Sequence, residues 1–177
     1  MTSRAAVASA LVVFGPLLWF TLLRAHGAPR PAEAAGEYAK HFEALTKLSV
    51  AVAQAMPAQQ YAFRPHPESM GFGQLMSHIA TTNYQFCAGL KDAAPPVLPS
   101  PSEKDAVVKF LSDSFDYCSS VIPNLTGEQL SKVHNSPDGQ LPGREILLAM
   151  YIHVAHHRGQ GEIYLRDQGI KPPSYMI

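Results

Sequence analysis

Apolar residues recur every three or four positions in four long stretches of the chain, which is the spacing of amphipathic helices. Proline and glycine stops bound these stretches and predict helices over residues 36–56, 69–90, 102–122 and 142–168. No stretch alternates apolar and polar residues as a half-buried strand would. The pattern therefore predicts an all-α protein, a four-helix bundle with one core.

Local signals near the helix ends refine this prediction. Ser102 with Asp105 three residues later is a variant of the capping box, so the third helix is expected to begin there. Pro142 suits the first position of the last helix. Between these helices the sequence predicts a short helical turn over residues 126–133 and a tight turn from Ser136 to Gly139.

The connection between the second and third helices, Lys91 to Ser102, contains four prolines. Extended, it could reach roughly 40 Å at about 3.3 Å per residue, whereas a 20-residue helix is only about 30 Å long. This long Pro-rich connection can cross the whole bundle, so the two helices can run in the same direction. Parallel helices would bring Cys87 and Cys118 to one level, where a disulfide could form; two buried free thiols are the alternative.

Candidate chemistry lies in the last helix. Its inward seam contains two histidines in an otherwise largely apolar series: Ile146, Met150, His153, His157, Gln160 and Tyr164. Side chains four residues apart on a helix reach the same point in space, so His153 and His157 could chelate a metal ion. They could instead be core groups that hydrogen-bond to neighbouring side chains, and a third ligand elsewhere would decide between the two interpretations.

That third ligand could be His78, near the middle of the second helix, where Gln74 one turn earlier could orient its ring. Three neutral imidazoles from two helices would form a site for a divalent transition metal, either zinc, nickel or iron, with a position left open. Gln160 could orient a substrate or a water there, although a packing role fits equally well.

Composition narrows the function classes. Acidic and basic residues are balanced at 14 each, with no charged run, which argues against a nucleic-acid partner. Near the N-terminus, Arg4 precedes an apolar run from Ala5 to Leu23. Residues 1–34 are therefore predicted to be a signal peptide or a retained N-terminal anchor, the only expected membrane contact. Either would place the domain, residues 35–177, in the periplasm or outside the cell.

Two motifs resemble those of the DinB-like superfamily: Phe72-Gly73-Gln74-Leu75-Met76-Ser77-His78-Ile79-Ala80, and His153-Val154-Ala155-His156-His157-Arg158-Gly159-Gln160. The resemblance implies a four-helix bundle of up-down-down-up order with His78, His153 and His157 as metal ligands. His156 is then a spare side chain, and a pair formed by His153 and His156 is the alternative assignment. Members of that superfamily include thiol-dependent transferases and isomerases.

These observations give a functional expectation with two competitors. The first is an exported metal-dependent enzyme, a thiol-dependent transferase or a hydrolase, that acts on a small molecule. The alternatives are a non-catalytic, metal-dependent binding protein of the cell envelope, and a helical interaction domain with vestigial histidines. The sequence also leaves a homodimer open.

Overall fold

The computed structural model describes residues 31–175, with side chains from Ala35 onwards. This part of the chain is mostly helical, with five α-helices and one two-stranded sheet. In chain order the elements are α1 (Pro31–Ala55), α2 (Phe72–Leu90), α3 (Lys104–Val121), α4 (Gly127–Ser131), β1 (Val133–Ser136), β2 (Gly139–Pro142) and α5 (Gly143–Asp167). Most of the predicted signal or anchor segment lies outside the described residues. Within them, no helix combines the length and apolar character needed to cross a bilayer.

The four long helices form a ring of contacts, in which α2 packs against α3 and α5, and α1 packs against the same two helices. A disulfide joins Cys87 to Cys118, with their Cα atoms 5.5 Å apart, near the C-terminal ends of α2 and α3. The predicted bridge is confirmed, and these two helix ends lie side by side. The Cys87 sulfur also lies 3.7 Å from that of Met150, near the start of α5. The last turns of α2 therefore meet the first turns of α5.

The core consists of the side chains on the predicted apolar stripes, which the helical spacing brings to one side of each helix. Fully buried side chains from all four long helices include Phe42, Phe72, Leu75, Ile79, Phe86, Leu111, Phe115 and Ile146, and Met56 just after α1 is also fully buried. At the opposite end of the core, Phe72 at the start of α2 lies 6.3 Å from Tyr164 near the end of α5, measured between ring centroids. These contacts hold α2 and α5 side by side along their length, which positions the site described below.

The all-α prediction is wrong for one segment, because β1 and β2 form an antiparallel hairpin that pairs Ser136 with Gly139 and Val133 with Pro142. The predicted tight turn is present, and Gly139 adopts a φ of +103° that favours glycine. These strands are short and largely polar, so they lack the alternation of apolar and polar residues that predicts a strand from sequence. The hairpin is instead held by tertiary contacts: the buried ring of His134 bridges a carboxylate oxygen of Asp92 and the carbonyl oxygen of Gln129.

Several helix starts also differ from prediction. The third helix begins at Lys104, not at the expected capping box of Ser102 and Asp105, and its N-cap Glu103 makes no side-chain hydrogen bond. A tertiary contact marks this start instead, since Lys104 Nζ donates to the carbonyl oxygen of Gln54 at the end of α1, at 2.8 Å. Pro142 is the N-cap of the last helix and not its first residue, because it still belongs to β2, where it pairs with Val133.

Candidate metal centre

The structure brings together the three histidines that the sequence singled out. His78 lies in the second turn of α2, and His153 and His157 lie one turn apart in the middle of α5. Each offers a ring nitrogen, and the three ligand atoms lie within 4.8 Å of one another. All three side chains are half-buried, at the edge where α2 and α5 meet. The helix contacts at both ends of the core keep these rings at the same level.

The predicted seam of α5 agrees with the structure at Ile146, Met150, His153, His157 and Tyr164, and it is wrong at Gln160. Gln160 is exposed, whereas Gly161 is buried and takes the inward position. A Cβ atom on Gly161 would lie 3.0 Å from Met76 Cε and 3.2 Å from Val52 Cγ1, so the absence of a side chain lets α5 approach its neighbours closely. This close packing turns Gln160 out to the rim of the site.

His153 is the most enclosed of the three rings. Its Nε2 lies 3.0 Å from Nε2 of His78, and its Nδ1 is buried without a hydrogen-bond partner. Burial lowers the pKa of His153 to about 4, with further contributions from the neighbouring positive charge that His157 and His78 would carry. Burial, and then the proximity of His157, also lowers the pKa of His78. Both rings are therefore held in the neutral form that can bind a metal.

Gln160 acts on His157 from the rim. The Nδ1 atom of His157 donates to Oε1 of Gln160 at 2.8 Å, and Nε2 of Gln160 donates to Nε2 of His156 at 3.2 Å. With its proton held on Nδ1, His157 keeps the Nε2 lone pair free for a ligand bond. His156 is exposed and outside the three-ring group, so the structure groups His153 with His157 and not with His156.

These residues fit a divalent transition metal. Two facing imidazole nitrogens at 3.0 Å can share only one proton, and placing three rings together without an ion leaves lone pairs crowded at a half-buried point. An ion between the rings would satisfy those lone pairs, and three imidazoles suit zinc, nickel or iron. Gln74, expected to orient His78, instead accepts from the N–H of Gly71 at 2.9 Å and caps α2.

A cleft of about 520 Å³ lies beside His78, between α2, the loop before it and the Pro-rich connection. Ser77 and Thr81 of α2 line this cleft together with His78, and Arg64 lines it from the loop. The Oγ atom of Ser77 is buried without a partner. These cleft residues were not predicted from the sequence, although Thr81, three residues after His78, lies on the same side of the helix.

Comparison with known proteins identifies the family of this chain. The model of the DinB superfamily matches residues 41–160, a range that includes all three histidines. The uncharacterised protein YjoA of Bacillus subtilis (strain 168) is 24% identical over 134 residues, which cover 73% of this chain and 87% of YjoA.

Two crystal structures share the fold. The DinB-like YjoA structure from Bacillus subtilis has a TM-score of 0.69 at 23% identity and aligns with 79% of this chain and 98% of its own. A DinB-like protein from Bacillus cereus ATCC 10987 has a TM-score of 0.65 at 15% identity, over 80% of this chain and 97% of its own. The family match covers well over half of the sequence, so this chain belongs to the DinB superfamily.

Proposed function

We propose that this protein is an exported metal-dependent enzyme, of the thiol-dependent transferase or hydrolase type, with one divalent zinc, nickel or iron ion bound by His78, His153 and His157. The observation that supports this proposal is the convergence of three half-buried ring nitrogens within 4.8 Å. Three protein ligands leave a coordination position open, which is the form of catalytic sites; structural zinc sites are normally closed by a fourth protein ligand.

A metal bound there would supply Lewis acidity towards a substrate thiol or a water. The protein's own residues have supporting tasks. Gln160 keeps the Nδ1 proton on His157, and the aromatic ring of Phe86, with its centroid 6.0 Å from that of His153, covers the inner side of the site. The cleft beside His78 receives the substrate, where Thr81 offers a hydroxyl group and Arg64 offers a positive charge to an anionic group.

Among the described residues that line this cleft, none carries a carboxylate or a thiol. A thiol-dependent transferase needs neither group from the protein, because its nucleophile is a small thiol that enters the site. The lining is therefore compatible with the transferase. It is also compatible with the alternative, a non-catalytic, metal-dependent binding protein of the cell envelope, because binding requires no base.

We also propose a four-helix bundle of up-down-down-up order and an exported location. The bundle order is supported by the side-by-side ends of α2 and α3 at the disulfide and by the opposed contacts of α2 and α5. Export is supported by the same disulfide, since such bonds persist in oxidising compartments. The N-terminal segment that would direct export lies outside the described residues.

Elemental analysis of the full chain, purified without chelators from an exporting host, tests the metal site. We expect one divalent ion per chain in the wild type and a loss of about tenfold or more in affinity on replacing His78, His153 or His157 by alanine. His156→Ala and His41→Ala are matched controls that should retain the ion. Full retention in His78→Ala, or equal loss in His156→Ala, would show that the ligand set is different.

Turnover distinguishes the two candidate functions. The metal-loaded protein is incubated with a small thiol and a panel of electrophilic substrates, and thiol consumption is followed with and without the ion. Thiol consumption that is lost when the metal is removed, and is also lost in His157→Ala, supports the transferase. Stoichiometric metal binding with no consumption across the panel favours the binding protein.

A further inference from the structure

The outer face of α5 carries a row of apolar side chains that no described element covers. Leu148, Ile152 and Ile163 are 58%, 60% and 53% exposed, although aliphatic residues of this size are normally buried. Ala155 is exposed between them, and a Cβ atom on Gly159 would meet nothing within 4 Å. The spacings of four, three, four and four residues place all five on one side of the helix. We call these five residues the outer stripe.

We propose that the outer stripe is the contact surface of a homodimer, in which α5 of a second copy lies antiparallel across it. The stripe is centred at the boundary between Ala155 and His156, within one residue of the middle of α5 (Gly143–Asp167). A two-fold axis at this point would place the whole length of α5 against itself. The same patch then serves both subunits, as a closed dimer with two-fold symmetry requires.

The shape of the outer stripe is self-complementary about that axis. Antiparallel pairing places Ile152 opposite Gly159 of the second copy, so a large side chain faces a position that has none. Leu148 faces Ile163 of the second copy, and each of these contacts occurs twice by symmetry. A glycine facing an isoleucine lets two helices approach closely, as ridges pack into grooves.

Charge is self-complementary as well, and it selects the antiparallel arrangement. Glu145 in the first turn of α5 and Arg166 in the last turn are both exposed, near the two ends of the outer stripe. In an antiparallel pair, Glu145 of each copy lies beside Arg166 of the other. In a parallel pair the same residues would lie beside their own equivalents, which places like charges together.

The contact length is compatible with a modest dimer. At about 1.5 Å per residue, α5 is roughly 37 Å long. A groove of about 350 Å³ between α1 and α5, which Ile152 and Ala155 help to line, can accept further side chains of the second copy. Stable interfaces bury about 1,200–2,000 Å², and a single pair of helices of this length is a small contact, so we expect a dimer that dissociates on dilution.

Dimerisation would also cover the rim of the histidine site. His156 lies at the centre of the proposed contact, and its ring accepts from Gln160, which in turn holds His157. The second copy would therefore exclude water from the His156–Gln160 pair. The dimer itself rests on the outer stripe and does not depend on the proposed enzyme activity.

Cysteine cross-linking in the full chain tests the contact. Cys87 and Cys118 are bonded to each other, so Ala155→Cys supplies the free thiol, and oxidation of intact expressing cells should join two copies close to the axis. Ser120→Cys, exposed on α3, is the matched control and should give about tenfold less covalent dimer. Equal cross-linking in the two variants, or an Ala155→Cys adduct only with a different protein, would overturn the proposal. Absence of any adduct, as expected for a face covered by membrane lipid, would also overturn it.

Orientation and chemistry need two further measurements. When chains with Ile152→Cys and chains with Gly159→Cys are co-expressed with different tags, mixed dimers should exceed self-linked ones; the reverse would exclude antiparallel pairing.

Sedimentation measures how strongly the two copies bind. Ile152→Glu should raise the dimer dissociation constant about tenfold or more, whereas Val97→Glu, at an exposed position in the Pro-rich connection, should not. Glu145→Arg should weaken the dimer and the Glu145→Arg/Arg166→Glu pair should restore it. Failure of that rescue would refute the charge pairing.

Discussion

The hydrogen bond from His157 Nδ1 to Gln160 decides which nitrogen of this histidine can bind an ion. We predict that Gln160→Ala lowers metal affinity by about 10- to 100-fold, because the ring loses the acceptor that fixes its tautomer. Gln160→Glu keeps an acceptor at the same position and should retain near-native affinity. Competition titration against a chromogenic chelator measures both. His156→Ala is the matched control, and an equal loss in that variant would point to a disturbed helix surface.

The low pKa of His153 predicts how the metal-free protein responds to acid. In the folded chain this ring stays unprotonated down to about pH 4, whereas in the unfolded chain it takes up a proton near pH 6.5. Between these values the unfolded state binds more protons, so the free energy of unfolding is highest above pH 6.5 and falls as the pH drops towards 4.

Denaturant unfolding of the chelator-treated protein at a series of pH values measures this effect. His153→Phe fills the site with a ring that does not titrate, and it should flatten the stability profile over the same window. An unchanged profile in that variant would mean that other groups cause the acid sensitivity.

At the scale of elements, the hairpin is fitted against the end of α2 at a glycine. A Cβ atom on Gly89 would collide with the carbonyl oxygen of Asn135 in β1, a backbone atom that cannot rotate away. We therefore predict that Gly89→Ala lowers the free energy of unfolding by about 1–3 kcal/mol and loosens the hairpin. Denaturant unfolding and hydrogen exchange of the strand amides measure the two effects.

Gly36→Ala is the control, because a Cβ atom there meets nothing within 4 Å and the residue also lies in a helix. That substitution should be neutral or stabilising by up to about 1 kcal/mol, since alanine is the better helix former. Equal destabilisation by both substitutions would argue against the close contact between α2 and β1.

At the scale of the whole molecule, the disulfide and the N-terminal segment make one joint prediction. The full chain produced in an exporting host should contain no alkylatable thiol, whereas a variant without residues 1–34, made in the cytoplasm, should contain two. That variant should still fold, because it loses only the first turn of α1 and the core cluster begins at Phe42. Mass analysis after alkylation counts the thiols.

Oxidising the truncated protein should raise its free energy of unfolding by about 3–4 kcal/mol, as expected for a bridge between residues 31 positions apart. The double variant Cys87→Ala/Cys118→Ala should gain nothing on oxidation. An unfolded truncated protein would show that the N-terminal segment contributes to the fold, and free thiols in the full chain would contradict export.

The sequence alone predicted the four long helices, the three histidines that converge and the two cysteines that could form a bridge. Apolar spacing locates each long helix because burial of one helix face is a local, periodic requirement. The four-residue spacing of His153 and His157 placed both rings on one face, and the length of the Pro-rich connection allowed Cys87 to meet Cys118. Each of these inferences depends on distances along the chain, which the sequence states directly.

Only the tertiary structure decided features that depend on neighbours distant in sequence. The hairpin exists because Asp92 and the backbone of α4 hold His134, and two short polar strands have no periodic signal of their own. Gln160 faces the rim because Gly161 packs against Met76 and Val52, a contact between three helices that overrides the regular seam. The physical reason is the same in both cases: the decisive contacts join residues whose proximity exists only after the helices have packed.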